Sequence, residues 1–185
     1  MRMASDNGPE HCRPHRVHCL TGFIPGHYHA QSDHIIDPDK KVHRVKNMNT
    51  VHGKTYTYST TIEQKHLDRF GHVNNAVYLQ LFEDARWDVV TSEGFGYAEM
   101  ERLQQGPVIT EATIRYRREI TLGEKITITS RCGMKSERIF ITDQKMHNEK
   151  GELCSEAVFT GGLFDLKTRR IIEPTEMWLK AMGLG

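Results

Sequence analysis

One helix-period segment followed by an unbroken series of period-two segments constrains this chain most. Over residues 75–92, Tyr78, Leu81, Phe82, Ala85 and Val89 recur at helical spacing on one stripe. Leu79, Trp87 and Val90 widen the apolar coverage, so the spacing predicts a helix buried on more than one side. Gly94 and Gly96 end it. After Pro107 the period becomes two: Val108, Thr110, Ala112, Ile114 and Tyr116 fall on one face, and Glu111, Arg115 and Arg117 on the other. This pattern predicts a half-buried strand. Residues 124–134, 137–147 and 152–166 follow as further strands. Thr121-Leu122-Gly123 and Asn148-Glu149-Lys150-Gly151 supply turns between them. Upstream, residues 56–64 are aromatic and β-branched and predict a first strand; Thr175 to Met182 predicts a short helix capped by Thr175. The order strand, long helix, four strands, short helix implies an α+β chain, with an antiparallel sheet wrapped around one long helix.

The first part of the chain has a different character. Its first 47 residues hold seven of the eleven histidines, four of the six prolines and two of the four cysteines. Apolar residues there follow neither period, so the stretch cannot bury enough surface to offset its ordering entropy. Residues 1–50 are therefore expected to be a disordered, His-rich leader, and residues 51–185 one folded domain. Within the leader, Cys12, His15, His18 and Cys19 lie close together, but their spacing matches no common zinc module, and no metal site is expected. Cys132 and Cys154 fall in apolar strand-like runs and read as buried thiols rather than disulfide partners. A formal net charge of +1 gives no global case for nucleic acid or an anionic membrane surface. Without a signal-like apolar segment, the expected location is the cytoplasm.

Between the first strand and the helix runs Asp68-Arg69-Phe70-Gly71-His72-Val73-Asn74-Asn75-Ala76-Val77-Tyr78. Together with the element order and with Glu83-Asp84-Ala85-Arg86 in mid-helix, this segment resembles the hotdog-fold acyl-CoA thioesterases of the 4-hydroxybenzoyl-CoA thioesterase type. The resemblance covers about residues 55–180 and implies the hotdog fold for residues 51–185. It implies Asp68 as the catalytic carboxylate and the backbone N–H near the helix start, most nearly that of Asn75, as the group polarising the thioester carbonyl. His72 is implied as a helper that orients Asp68 or binds substrate. Glu83 is implied as an alternative carboxylate, because some branches place theirs further along the helix. The Lys135–Arg138 turn, with Lys135, Ser136 and Arg138, is the implied contact for coenzyme A phosphates. No cofactor is implied; coenzyme A enters as part of the substrate. The plant acyl-carrier-protein branch carries a catalytic Asn two residues before the His, where this chain has Phe70.

These residue types suit thioester hydrolysis. A carboxylate either attacks the acyl carbon to give a mixed anhydride or takes a proton from water. The first N–H groups of a helix lack intrahelical partners, and the dipole there favours negative charge. Asn74 and Asn75 are good cap types beside Gly71, which permits a tight reversal. The expected reaction is hydrolysis of an acyl-CoA to the free acid and coenzyme A. An acyl-carrier-protein thioesterase and a non-catalytic acyl- or CoA-binding hotdog domain are the alternatives. One wrapped sheet leaves exposed edges, so a homodimer or homotetramer is expected.

Overall fold

The structure is a computed structural model, and it describes residues 51–185. The leader and its His/Cys cluster lie outside the described residues. Six strands form one antiparallel sheet: β1 (Thr55–Thr61), β2 (Gln105–Tyr116), β3 (Lys125–Met134), β4 (Phe140–Asn148), β5 (Leu153–Asp165) and β6 (Arg170–Ile172). The strand order is β1-β3-β4-β5-β2, with β6 paired to the end of β5. Three helices accompany the sheet: α1 (Asn75–Ser92), α2 (Tyr97–Leu103) and α3 (Glu176–Ala181).

Alternation on the central strands builds the inner face. Ile126, Ile128, Ser130 and Cys132 of β3 are buried, as are Phe140, Thr142, Gln144 and Met146 of β4. The α1 residues Tyr78, Leu81, Phe82 and Ala85 join Ile126, Ile128, Met146 and Phe159 in one apolar cluster. A second cluster gathers where α3 closes the other end, with Trp178 edge-on to Phe95 at 5.0 Å between ring centroids. The first cluster surrounds a polar centre. Gln144 Nε2 donates to the Phe82 carbonyl (3.1 Å) and to Ser130 Oγ (2.8 Å), while its Oε1 accepts from Arg86 (2.8 Å). All of its hydrogen-bonding atoms are thereby engaged, which offsets the cost of burying an amide.

The predicted sheet around a long helix is present, with four corrections. First, α2 follows Gly96 where only a helix end was expected. It has seven residues and one buried side chain, Met100, too few for a period to register. Second, β6 is three residues long, and strand β4 begins at Phe140 rather than 137. Third, α1 is covered along one side of this chain only: Leu79 is 42% exposed, and Gln80, Glu83 and Asp84 are exposed with it. Fourth, strict alternation in β2 fails. Ile109 pairs with Gly161 and Glu111 with Thr160, leaving Thr110 as a bulge. The bulge reverses the parity, so Pro107 and Ile109, not Val108, share a face with Ala112, Ile114 and Tyr116. Most of β2 is exposed, as suits the edge of the sheet.

The bulge lies against a close approach. A Cβ on Gly161 would overlap the Val108 carbonyl oxygen and come within 2.8 Å of Phe140 Cζ. Alanine normally favours a strand over glycine, but here it would overpack the β2–β5–Phe140 junction. Gly161→Ala is expected to lower stability by about 1–3 kcal/mol, read as a lower urea midpoint at unchanged slope.

Candidate active site

The loop entering α1 is fixed from several sides. Asp68 N–H donates to the His72 carbonyl (2.9 Å), and Gly71 N–H to the Asp68 carbonyl (3.3 Å). Gly71 has φ +84°, a conformation open to glycine at little steric cost. Val73 N–H donates to the Ile120 carbonyl (2.9 Å) and Asn74 N–H to the His66 carbonyl (3.0 Å). The loop is thus tied both to the segment after β2 and to the short 3-10 turn Gln64–His66.

Two groups of opposite character flank the end of the loop, a carboxylate on the turn and a helix N-terminus after it. Asp68 Oδ1 accepts from Phe70 N–H (2.8 Å), which orients the carboxylate; Oδ2 has no partner among the described residues. Asn74 caps α1, its Oδ1 accepting from Ala76 N–H (2.9 Å), and its carbonyl accepts from Val77 N–H (2.9 Å). The N–H of Asn75, the first residue of α1, has no partner among the described residues. Asp68, His72 and Asn75 line one open cleft of about 380 Å³, together with Tyr116, Arg118 and Glu119. His72 Nε2 lies 3.2 Å from Glu119 Oε2. The Tyr116 hydroxyl donates to the Asn75 carbonyl (3.0 Å), and its ring meets Tyr78 edge-on at 5.1 Å. Tyr116 and Glu119 were not among the residues marked for this site in the sequence. They arrive at the end of an edge strand, and no local pattern links them to Asp68.

The remaining candidates lie elsewhere. Glu83 is two turns further along α1, on a different and largely apolar cavity of about 90 Å³ beneath the helix. Arg86 does not sit on the surface paired with Glu83, as the i+3 spacing suggests. It turns inward, over the Phe159 ring at 3.9 Å, and burial pushes its pKa down to about 10. Lys135, Ser136 and Arg138 occupy the β3–β4 turn, where Ser136 Oγ accepts from Ile139 N–H (3.2 Å). Arg138 pairs with Glu173 (3.1 Å) and, with Arg170, borders an open cleft of about 510 Å³ that neither Lys135 nor Ser136 lines. Among the described residues, no cluster of three metal-ligating side chains occurs, and no helix is long and apolar enough to cross a membrane.

Comparison with known proteins adds kinship to this geometry. Escherichia coli long-chain acyl-CoA thioesterase FadM is 34% identical over 109 residues, which is 58% of this chain and 81% of FadM. The structure of YbaW, a probable thioesterase from Escherichia coli, superposes with a TM-score of 0.61 at 29% identity, covering 71% of this chain and 99% of that one. The Staphylococcus aureus protein SAV2348, solved in complex with CoA, superposes with a TM-score of 0.65 at 22% identity, over 72% of this chain and 84% of that one. At that identity the likeness concerns the fold alone. The sequence profile of the thioesterase-like superfamily matches residues 62–182, a span that includes the Asp68 loop, α1 and the whole sheet after it, and the chain belongs to that superfamily as a hotdog-fold member.

Proposed function

We propose that this protein hydrolyses acyl-CoA thioesters, with Asp68 as the catalytic carboxylate and the Asn75 N–H as the oxyanion donor. The chain is a thioester hydrolase by family. The acyl-CoA substrate is supported by the likeness to FadM. The machinery is supported by one observation: Asp68, whose Oδ2 has no partner among the described residues, and Asn75, whose N–H has none there either, line the same cleft. A thioester carbonyl seated there would accept from Asn75 N–H as its carbon becomes tetrahedral. The helix dipole would add to that stabilisation. Asp68 Oδ2 either attacks the acyl carbon, expelling the coenzyme A thiolate and leaving a mixed anhydride that water then cleaves to the free acid, or takes a proton from a water that attacks the same carbon. The departing thiolate becomes the thiol with the proton that the water gives up. His72 is assigned to positioning at the cleft wall. The phosphates of coenzyme A are assigned to Arg138, with Lys135 and Ser136 on the same turn.

Hydrolysis followed by thiol release from a range of acyl-CoAs tests the reading. Asp68→Asn, close in shape and unable to act as a base or nucleophile, is expected to lower kcat by about 10²–10⁴-fold. Undiminished turnover would remove Asp68 from the mechanism. A strong preference for acyl-carrier protein over acyl-CoA would instead favour the carrier-protein alternative.

The backbone role has a separate test. Asn75 is the first residue of α1, where proline is well tolerated because its missing N–H has no helical partner. The preceding residue, Asn74, has φ −60° and ψ 141°, as a residue before proline prefers. Asn75→Pro should therefore keep the helix and lose the donor, lowering kcat by roughly 10²–10³-fold. Asn75→Ala, which keeps the N–H, should retain most activity. Equal activity in the two variants would move the oxyanion site elsewhere.

Assembly belongs to the same reading. Edge strand β2 and the uncovered side of α1 leave Ile109, Tyr116 and Leu79 exposed. Pairing β2 edges between copies would cover them and supply a second wall to the Asp68 cleft. Light scattering should give two or four times the 21.3 kDa chain mass; a monomer at assay concentration would contradict it.

A further inference from the structure

The start of α1 is tied to three other segments at three successive residues. The N–H groups of Val73 and Asn74 donate to the carbonyls of Ile120 and His66. At Asn75 the tie comes from a side chain: the Tyr116 hydroxyl donates to the Asn75 carbonyl (3.0 Å). A second bond runs the other way. The Tyr78 hydroxyl, on the same turn of α1, donates to the Arg118 carbonyl (3.3 Å), two residues past the end of β2. Helix start and strand end are thus stitched reciprocally, Tyr116 to Asn75 and Tyr78 to Arg118.

The Tyr116 ring is held independently of its hydroxyl. Its backbone is the last of β2 and pairs with Ser155, and its ring meets that of the buried Tyr78 edge-on at 5.1 Å. Such a contact is favourable by itself, so the hydroxyl reaches the Asn75 carbonyl already oriented. The bond contributes little to stability: Tyr116 is 51% exposed, and water replaces a neutral hydrogen bond lost at such a position. What it fixes is direction. The bonds at residues 73 and 74 hold the chain ahead of the Asn75 N–H, and the bond at the Asn75 carbonyl holds it behind. Helix ends fray, and an N–H that swings with a fraying turn stabilises an oxyanion less than one held in place.

We propose that Tyr116 is a positioning residue of the hydrolysis: through the Asn75 carbonyl, its hydroxyl holds the first turn of α1 so that the Asn75 N–H stays aimed at the developing oxyanion. The proposal rests on the acyl-CoA thioesterase reading and deepens its oxyanion site. Tyr116 lines the cleft with Asp68 and Asn75, yet it acts through the backbone rather than on the acyl group.

The test measures kcat and KM of full-length variants on whichever acyl-CoA the wild type turns over fastest. Tyr116→Phe keeps the ring and its contact with Tyr78 and removes only the donor. It should lower kcat roughly 3- to 10-fold, the worth of one neutral hydrogen bond, at unchanged KM and unchanged urea midpoint. In the Asn75→Pro background, where the N–H is gone, Tyr116→Phe should have almost no further effect; in Asn75→Ala, which keeps the N–H, its full effect should return. Wild-type activity in Tyr116→Phe would overturn the proposal. So would a raised KM at unchanged kcat, which marks a substrate contact, or a loss that vanishes after correction for folded protein. An undiminished effect in the Asn75→Pro background would overturn it too, because Tyr116 would then act apart from the N–H. The split between kcat and KM in Tyr116→Phe alone stands as a test if a proline variant fails to fold. Each of these results leaves the thioesterase reading intact. Equal activity of Asn75→Pro and Asn75→Ala would instead remove the oxyanion assignment, and the role of Tyr116 with it.

Discussion

Two backbone hydrogen bonds, from Val73 N–H to Ile120 and from Asn74 N–H to His66, hold the entry to α1 against the rest of the domain. They fix where the helix starts and therefore where its first N–H points. The Asp68 turn is closed by its own contacts to Phe70, Gly71 and His72 and needs no distant partner. The relation between that turn and the helix terminus does need one, and these two bonds supply it. In the proposed reaction, attack and oxyanion stabilisation depend on a separation held to a fraction of an ångström, the tolerance positioned groups generally require. A backbone clamp suits this better than side chains would, because it carries no rotamer freedom.

The same helix serves two environments. Its N-terminal end, at Asn75, opens on the cleft; its middle lies over the sheet, with the Gln144 network at the centre. A buried amide with three engaged partners fixes how α1 sits on β3 and β4 more narrowly than apolar packing alone, because a shifted helix leaves polar atoms unpaired. The apolar cluster supplies cohesion, and the network selects one register. Arg86 extends this network to the edge of the apolar cavity, so the orientation of the guanidinium is inherited from the core rather than set by solvent.

Much of this was legible in the sequence. Residues 75–92 repeat at helical spacing, and α1 spans those residues. Thr175 caps α3, with its side chain accepting from Trp178 N–H, as its residue type suggests. The Asp68-to-Asn75 segment could be singled out because its residues are contiguous, and contiguity brings Asp68, His72 and Asn75 to one cleft. What could not be read depends on long-range pairing. Tyr116 meets Asn75 across 41 residues, and only the sheet brings them together. Arg86 could be read as a surface partner of Glu83 because helical spacing gives neighbours along a helix but not which side of it faces the core. The Thr110 bulge left no sequence signal, since Val108, Thr110 and Ala112 alternate acceptably without it.

That bulge has a further consequence for how the molecule could diversify. Strand β2 sends Pro107 and Ile109 to the cavity beneath α1, and after one unpaired residue it sends Ile114 and Tyr116 to the same side, with Tyr116 at the Asp68 cleft. Removing Thr110 would restore a regular pleat and swing one half of the strand round relative to the other, emptying a wall of one site or the other. Point changes at Pro107 or Ile109 would carry no such penalty for Tyr116. A single extra residue thus works as a decoupler: lineages could reshape the chamber while the wall of the Asp68 cleft stays in phase, whereas a change in strand length would disturb both together.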